Sequence, residues 1–276
     1  MFYTIPMGQF IVFTDLDGTL LDHTYSCTAA LPALRLLKER KTPLVLCSSK
    51  TKAEIEHYRK KLDNRDPFIA ENGGGIFLPK GYFSFSDIEG YTFVEDGEYL
   101  MLRLGTPYTA LRKALRELRS QGFRVRGFGD LSVSEIARLT GLSNDEAAMA
   151  RERDFDEPFI FEGDNEQALT EAIAAKGFNV IRGGAFFHLL GSSDKGTAVS
   201  LLIDMYKRHY GGCTTIALGD GPNDLPMLER VDHPVIVQRT DGTYDPRITL
   251  PGLIKAEGIG PEGWDKAVIS LLSRIH

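Results

Sequence analysis

Phe10-Ile11-Val12-Phe13-Thr14-Asp15-Leu16-Asp17-Gly18-Thr19 is the stretch on which the reading of the whole chain turns. Phe10 to Thr14 is short, apolar and rich in β-formers, with no polar alternation. That pattern predicts a strand buried on both faces, as in a parallel sheet. It ends in an Asp/Gly turn. Working outward, Ala29 to Arg40 is helix-like, and Pro43 to Ser48 is a second buried run. Thr51 opens a helix to about Leu62, and Glu54, three residues on, completes a capping box. Phe68 to Ala70 reads as a third strand. Strand, helix, strand, helix, strand predicts an α/β fold with a doubly wound, mostly parallel sheet.

The same rhythm returns near the other end. Ala198, Leu201, Leu202, Met205 and Tyr206 follow helical spacing on one face. Thr214 to Leu218 is a buried strand that stops at Gly219-Asp220, and Pro234 to Val237 is another. Between the halves the pattern changes. Strands are expected at Tyr99 to Leu104, Pro158 to Phe161 and Phe186 to Leu190. One amphipathic helix carries Leu111, Ala114, Leu115 and Leu118 and another carries Leu169, Ala172 and Ile173. The basic face of the first (Arg112, Lys113, Arg116, Arg119) reads as a solvated face. The expected organisation is a discontinuous core, residues 1–84 and 191–276, around an inserted α+β cap of residues 85–190.

A length of 276 residues suits two domains, and 42% hydrophobic with 25% charged residues is ordinary for a globular chain with a sizeable core. Lys plus Arg number 32 against 38 Asp plus Glu, a net charge of -6 that argues against nucleic acid or an anionic membrane as the main partner. Cys27, Cys47 and Cys213 form no Cys-x-x-Cys pair and read as free thiols of a reducing compartment. The first apolar run is too short for a signal peptide or a membrane span and has no basic stretch before it, so a cytoplasmic protein is expected.

Four short motifs carry chemistry, each at or near the carboxyl end of a predicted strand, where doubly wound sheets bind ligands. Asp15 and Asp17, one residue apart, can divide labour. One coordinates a divalent cation and attacks, and the other works as acid and base. Gly18 suits a turn where backbone approaches a ligand. Asp220 and Asp224, in Gly219-Asp220-Gly221-Pro222-Asn223-Asp224, add the further carboxylates that a hard cation such as Mg²⁺ requires; turn formation and helix capping by Asn223 or Asp224 are compatible with that role. Ser48-Ser49-Lys50-Thr51 presents hydroxyls and N–H groups at a helix start, an anion cradle. Lys195 opens a helix, where the dipole disfavours a cation. A phosphate together with the Asp15 carboxylate would justify it there.

In this order (acid pair, hydroxyl, lysine, acid pair) the set resembles the haloacid dehalogenase superfamily of phosphatases. Its four motifs match DLDGT, Ser48, Lys195 and GDGPND. A fuller similarity, carried by SSKTKAEIEHYRKKL, PFIAENGGGIFLPKGYF, GDLSVSEIARLTGLS, HLLGSSDKG and GPEGW, is to the mannosyl-3-phosphoglycerate phosphatase family and spans nearly the whole chain. The resemblance implies a large α+β cap between the second and third motifs, and hydrolysis of mannosyl-3-phosphoglycerate to mannosylglycerate. It implies Asp15 as nucleophile, Asp17 as acid and base, and Mg²⁺ on Asp15, the Asp17 carbonyl and Asp220, with support from Asp224. Ser48 and Lys195 would hold the transferring oxygens. The cap would choose the substrate, with Arg182, Gly183, Gly184 and His188 as candidates. Ser49, Lys50, Asn72, Gly73 and Asn223, with the Gly260 to Gly263 stretch, are expected on the core side of the rim. One departure stands out: Ala185 occupies the place where that family has an arginine. Arg182 is the candidate replacement. Glucosyl-3-phosphoglycerate or another sugar phosphate as substrate, a phosphomutase, and a non-catalytic sugar-phosphate binder are the alternatives.

Overall fold

The computed structural model describes residues 9–183 and 186–274. Gly184 and Ala185, both named above, lie outside the described residues. The chain begins with β1 (Gln9–Thr14), α1 (Leu31–Glu39), β2 (Leu44–Cys47), α2 (Lys52–Leu62), β3 (Phe68–Ala70) and β4 (Gly75–Pro79). It continues through β5 (Val94–Asp96), β6 (Tyr99–Arg103), α3 (Tyr108–Ser120), β7 (Val125–Gly127), α4 (Val133–Thr140), α5 (Asn144–Arg151), β8 (Asp156–Phe161) and α6 (Glu166–Ala174). After β9 (Asn179–Gly183) and β10 (Phe186–Leu190) come α7 (Lys195–Tyr210), β11 (Cys213–Gly219), α8 (Leu225–Leu228), β12 (His233–Gln238), β13 (Ile254–Ile259) and α9 (Pro261–Arg274).

The larger sheet has the order β13-β12-β11-β1-β2-β3-β4-β6-β5. From β13 to β3 all neighbours are parallel. The chain leaves β1 toward β2 and β3, then returns to the other flank with β11. The strand order therefore reverses beside β1, which is where open α/β sheets form their ligand crevice. Both faces of β1 are covered. Val12 packs into one apolar cluster together with Trp264 of α9, while Ile11 and Phe13 pack into a second with Ala198, Leu202 and Tyr206 of α7. The continuous apolar run follows directly, because each successive side chain meets a helix layer. Thr51 caps α2 with the expected box, its hydroxyl accepting from the Glu54 N–H at 3.1 Å and the Glu54 carboxylate accepting from the Thr51 N–H at 2.9 Å.

A second, antiparallel sheet of order β7-β8-β10-β9 forms the cap. Leu111, Leu115 and Leu118 of α3 and Leu169 and Ile173 of α6 bury against its Phe159 and Leu189. The expected start of the insert needs correcting. Tyr99 to Arg103 belongs to the core sheet, paired antiparallel with β4 from Gly75↔Arg103 to Pro79↔Tyr99, and β5 pairs outside it. Alternation alone does not say which sheet a strand joins. Here Met101 faces one core cluster and Leu102 the other, so both pleats of the strand are buried by core helices.

Trp264, fully buried, fixes α9 under the strand that carries the first motif, and its indole N–H donates to the Thr14 hydroxyl at 2.9 Å. Trp264→Ala is expected to cost about 4 kcal/mol of stability through the cavity and the lost indole hydrogen bond. Urea denaturation measures this directly, and a loss under about 1 kcal/mol would contradict the packing described.

Candidate active site

β1 and β11 are hydrogen-bond neighbours in parallel register, Thr14 opposite Leu218, so the residues that follow them, Asp15 and Asp220, emerge at the same edge. Gly18 shapes the first loop at φ +75°, and a Cβ there would stand 2.7 Å from an Asp220 carboxylate oxygen. Only glycine lets the two loops close this tightly. The hydroxyl of Thr19 donates to Asp220 Oδ1 at 3.2 Å.

Lys195 lies beneath them, 1% exposed, with its ammonium 2.8 Å from Asp15 Oδ1 and 2.7 Å from Asp224 Oδ1. It is the first residue of α7, capped by Asp194, whose carboxylate accepts the Thr197 N–H. The unfavourable dipole is offset by two carboxylates. Burial works against the charge of Lys195, but Asp15 and Asp224 outweigh it and hold the lysine above its ordinary pKa. The other oxygen of Asp224 accepts the N–H groups of Asp220 and Gly221 at 3.0 and 3.1 Å. Asp224 thus positions both the lysine and the second motif's turn.

Oxygens of Asp15, Asp220 and Asp224 all lie within 4.8 Å of one another. Burial, then repulsion by Asp224, push Asp15 up to about 7 despite Lys195. Burial, then Asp224 and Asp15, push Asp220 up to about 8. Three carboxylates around one ammonium leave a surplus of negative charge in a desolvated place. The oxygen-only donor set fits a hard divalent cation, which would remove that surplus.

A cavity of about 810 Å³ opens above this cluster and runs between core and cap. Asp15, Asp17, Ser49, Lys50, Asp220 and Asn223 line it from the core, and Arg182 and His188 from the cap. Asp17 turns away from the three-acid group. Its Oδ2 is 2.9 Å from the Lys50 ammonium, and its Oδ1 is buried without a partner among the described residues. Ser48 is fully buried at the end of β2 and does not line the cavity; its hydroxyl oxygen accepts the Lys50 N–H at 3.3 Å. Gly183 is the last residue of β9.

Asn72 and Gly73 correct the expectation of a rim position. Asn72 is buried and donates to Asp156 at 2.9 Å, and that carboxylate takes the Nδ1 of His188 at 2.8 Å. Gly73, at φ +90°, packs where a Cβ would be 2.1 Å from the Asp194 carbonyl. Both residues support the site from behind. The Gly260 turn packs against the first motif, 3.2 Å from the Gly18 carbonyl to a Cβ built on Gly260. Arg182 pairs with Glu166 at 3.0 Å and lies over the Phe187 ring. Sequence reasoning missed Tyr25, Glu54, Arg153, Arg239 and Arg247 as cavity residues. Glu54 was read only as the capping-box partner of Thr51, and the others sit in none of the four motifs, although Arg239 immediately follows a strand, the one signal that pointed to it.

A family profile described as haloacid dehalogenase-like hydrolase matches residues 12–88 and 166–243. The chain belongs to this family. A glucosyl-3-phosphoglycerate/mannosyl-3-phosphoglycerate phosphatase from Methanococcoides burtonii is 47% identical over 268 residues, 96% of this chain and 97% of that protein. A mannosyl-3-phosphoglycerate phosphatase from Pyrococcus furiosus is 38% identical over 228 residues, 82% of this chain and 90% of that one. In fold, the chain is similar to a phosphatase of the same superfamily from Bacteroides thetaiotaomicron, at a TM-score of 0.66 and 18% identity, covering 99% and 97% of the two chains. No helix among the described residues is long and apolar enough to cross a membrane.

The raised pKa values set a sign for metal binding. Below about pH 7 to 8 the free cluster holds protons that a cation must displace. Affinity for Mg²⁺ is therefore expected to weaken as pH falls from about 8.5 to about 6, with proton release on binding. Calorimetry in buffers of different ionisation enthalpy reads both, and a pH-independent affinity without proton release would refute the coupling.

Proposed function

We propose that this protein is a Mg²⁺-dependent phosphatase of a sugar-glycerate phosphate, with mannosyl-3-phosphoglycerate as substrate and mannosylglycerate and phosphate as products. The observation that carries the reading is the Asp15–Lys195–Asp224–Asp220 cluster at the floor of a cavity roofed by the cap. The names of the relatives, at 38% and 47% identity, support the substrate class. The double name of the Methanococcoides burtonii relative favours glucosyl-3-phosphoglycerate as a second substrate.

Bound at Asp15 and Asp220, Mg²⁺ supplies the positive charge that lets a carboxylate and a phosphate approach. Asp15 attacks phosphorus through its carboxylate, the ester bond to the glycerate oxygen breaks, and an aspartyl-phosphate forms. Asp17 gives its proton to the departing oxygen. In the second step it takes a proton from the attacking water, whose oxygen ends on the released phosphate. Asp17 lines the cavity beside Asp15, and Lys50 holds its carboxylate there through Oδ2. Lys195 orients Asp15 and holds charge that develops on the transferring oxygens. The buried Ser48 hydroxyl supports the cradle from behind by accepting the Lys50 N–H, and the cap excludes water.

Asp15→Asn is expected to lower kcat by about 10⁴-fold or more and to abolish phosphoenzyme trapped from labelled substrate. A substantial residual rate removes the covalent role. Phosphate release from the mannosyl ester, the glucosyl ester and simple sugar phosphates, run side by side with Mg²⁺, tests the substrate. Preference for the two glycerate esters by orders of magnitude in kcat/KM is expected. Transfer to a second sugar without net phosphate release would make the protein a mutase.

A further inference from the structure

The cavity holds more cations than the phosphate end uses, and most are already committed. Lys50 stands between Asp17 at 2.9 Å and Glu54 at 3.6 Å. Arg153 is buried against Glu54 and Asp156, at 3.7 and 3.8 Å, and donates to the Ser49 and Ala150 carbonyls. Arg182 has Glu166, and both side chains are more than half exposed. The loop after β12 is different. There two guanidinium groups that line the cavity, Arg239 and Arg247, share one carboxylate, Asp245. Arg247 grips it at 2.6 and 2.9 Å, whereas Arg239 reaches it only at 3.4 Å and donates with its other terminal nitrogen to the Thr243 hydroxyl at 3.0 Å. Asp241 is 3.6 Å from Arg239 but is 58% exposed, outside the cavity lining and occupied by the Thr243 N–H and hydroxyl. The Nε of Arg239 is buried with no acceptor among the described residues. An arginine with an unused donor beside a shared carboxylate is prepared for a further anion.

Its position suits a particular anion. Arg239 directly follows β12, the neighbour of β11, which Asp220 directly follows. Adjacent strands are about 4.8 Å apart, close to the roughly 5 Å that separates phosphorus from the carboxylate carbon across the four bonds, each of about 1.5 Å, of an extended glycerate 3-phosphate. We propose that Arg239, braced by Asp245 and Arg247, is the subsite for the glycerate carboxylate, so that the core itself, and not the cap alone, selects for a phosphoester that carries an acid group. This inference rests on the substrate reading above.

The test compares mannosyl-3-phosphoglycerate with the same ester in which the carboxylate is reduced to an alcohol. Wild type is expected to prefer the acid. Arg239→Ala is expected to lower the acid-to-alcohol ratio of kcat/KM by about 10- to 100-fold, chiefly through KM for the acid. Asp245 keeps Arg247 in that variant, so an unchanged Tm is expected. If Arg239→Ala does not fold, Arg239→Lys gives the same readout with a smaller loss, since an ammonium cannot grip both oxygens. An undiminished ratio in the folded variant overturns the subsite while leaving the substrate class standing. A ratio that collapses in Arg182→Ala and not in Arg239→Ala moves the contact to the cap and overturns it equally. A wild-type ratio near one removes the substrate reading and the subsite together.

Discussion

Lys195 carries a full charge at 1% exposure, and two carboxylates from different strand ends make that tolerable. A buried ammonium left alone would be several kcal/mol unfavourable. The same lysine keeps Asp15 and Asp224 from repelling each other outright. Since Asp15 follows β1, Lys195 begins α7 and Asp224 follows β11, one ion cluster ties three separate parts of the chain into a single arrangement. Burial, reinforced by repulsion among the neighbouring carboxylates, raises Asp15 and Asp220, and the surplus of acids gives the site its appetite for a divalent cation. Metal affinity and nucleophile placement thus have one electrostatic origin.

The join between core and cap uses polar contacts of a similar kind. Glu71 and Asn72 adopt positive φ, 51° and 54°, a conformation that costs a non-glycine residue about 1 kcal/mol or more. The turn is held because the Glu71 carboxylate accepts the N–H groups of Asp154, Phe155 and Asp156, and Asn72 reaches Asp156. These bonds fasten the first residues of β8 to the core, and Asp156 in turn orients His188 over the cavity. Arg153 adds a bond to the Ser49 carbonyl, next to the anion cradle. The cap is therefore referenced to the catalytic loops through fixed groups, so a substrate bound between the two is read by both.

The cavity separates tasks by charge. Its floor concentrates carboxylates and one lysine for phosphoryl chemistry, while its walls carry arginines and a histidine suited to the rest of the molecule. Lys50, closed off by Asp17 and Glu54 and set over the Tyr25 and Tyr58 rings, positions Asp17. The loop after β12 brings two guanidinium groups, Arg239 and Arg247, to the core wall.

Local sequence determined the doubly wound core, because a strand buried on both faces needs an unbroken apolar run and its end must turn, and FIVFTDLDG and TTIALGDG write both facts into adjacent residues. It also determined the capping of α2 and the identity of the acids and the lysine, whose roles follow from lying at strand ends. What only the tertiary structure decided was every relation between distant segments. The register of β6 on the core sheet, the withdrawal of Asn72 and Gly73 behind the site, the turning of Asp17 toward Lys50 and the arrival of Arg239 in the cavity have no local signature. Each depends on distances between residues far apart in the chain, and side-chain periodicity, which reports only which face is buried, carries no information about the partner that buries it.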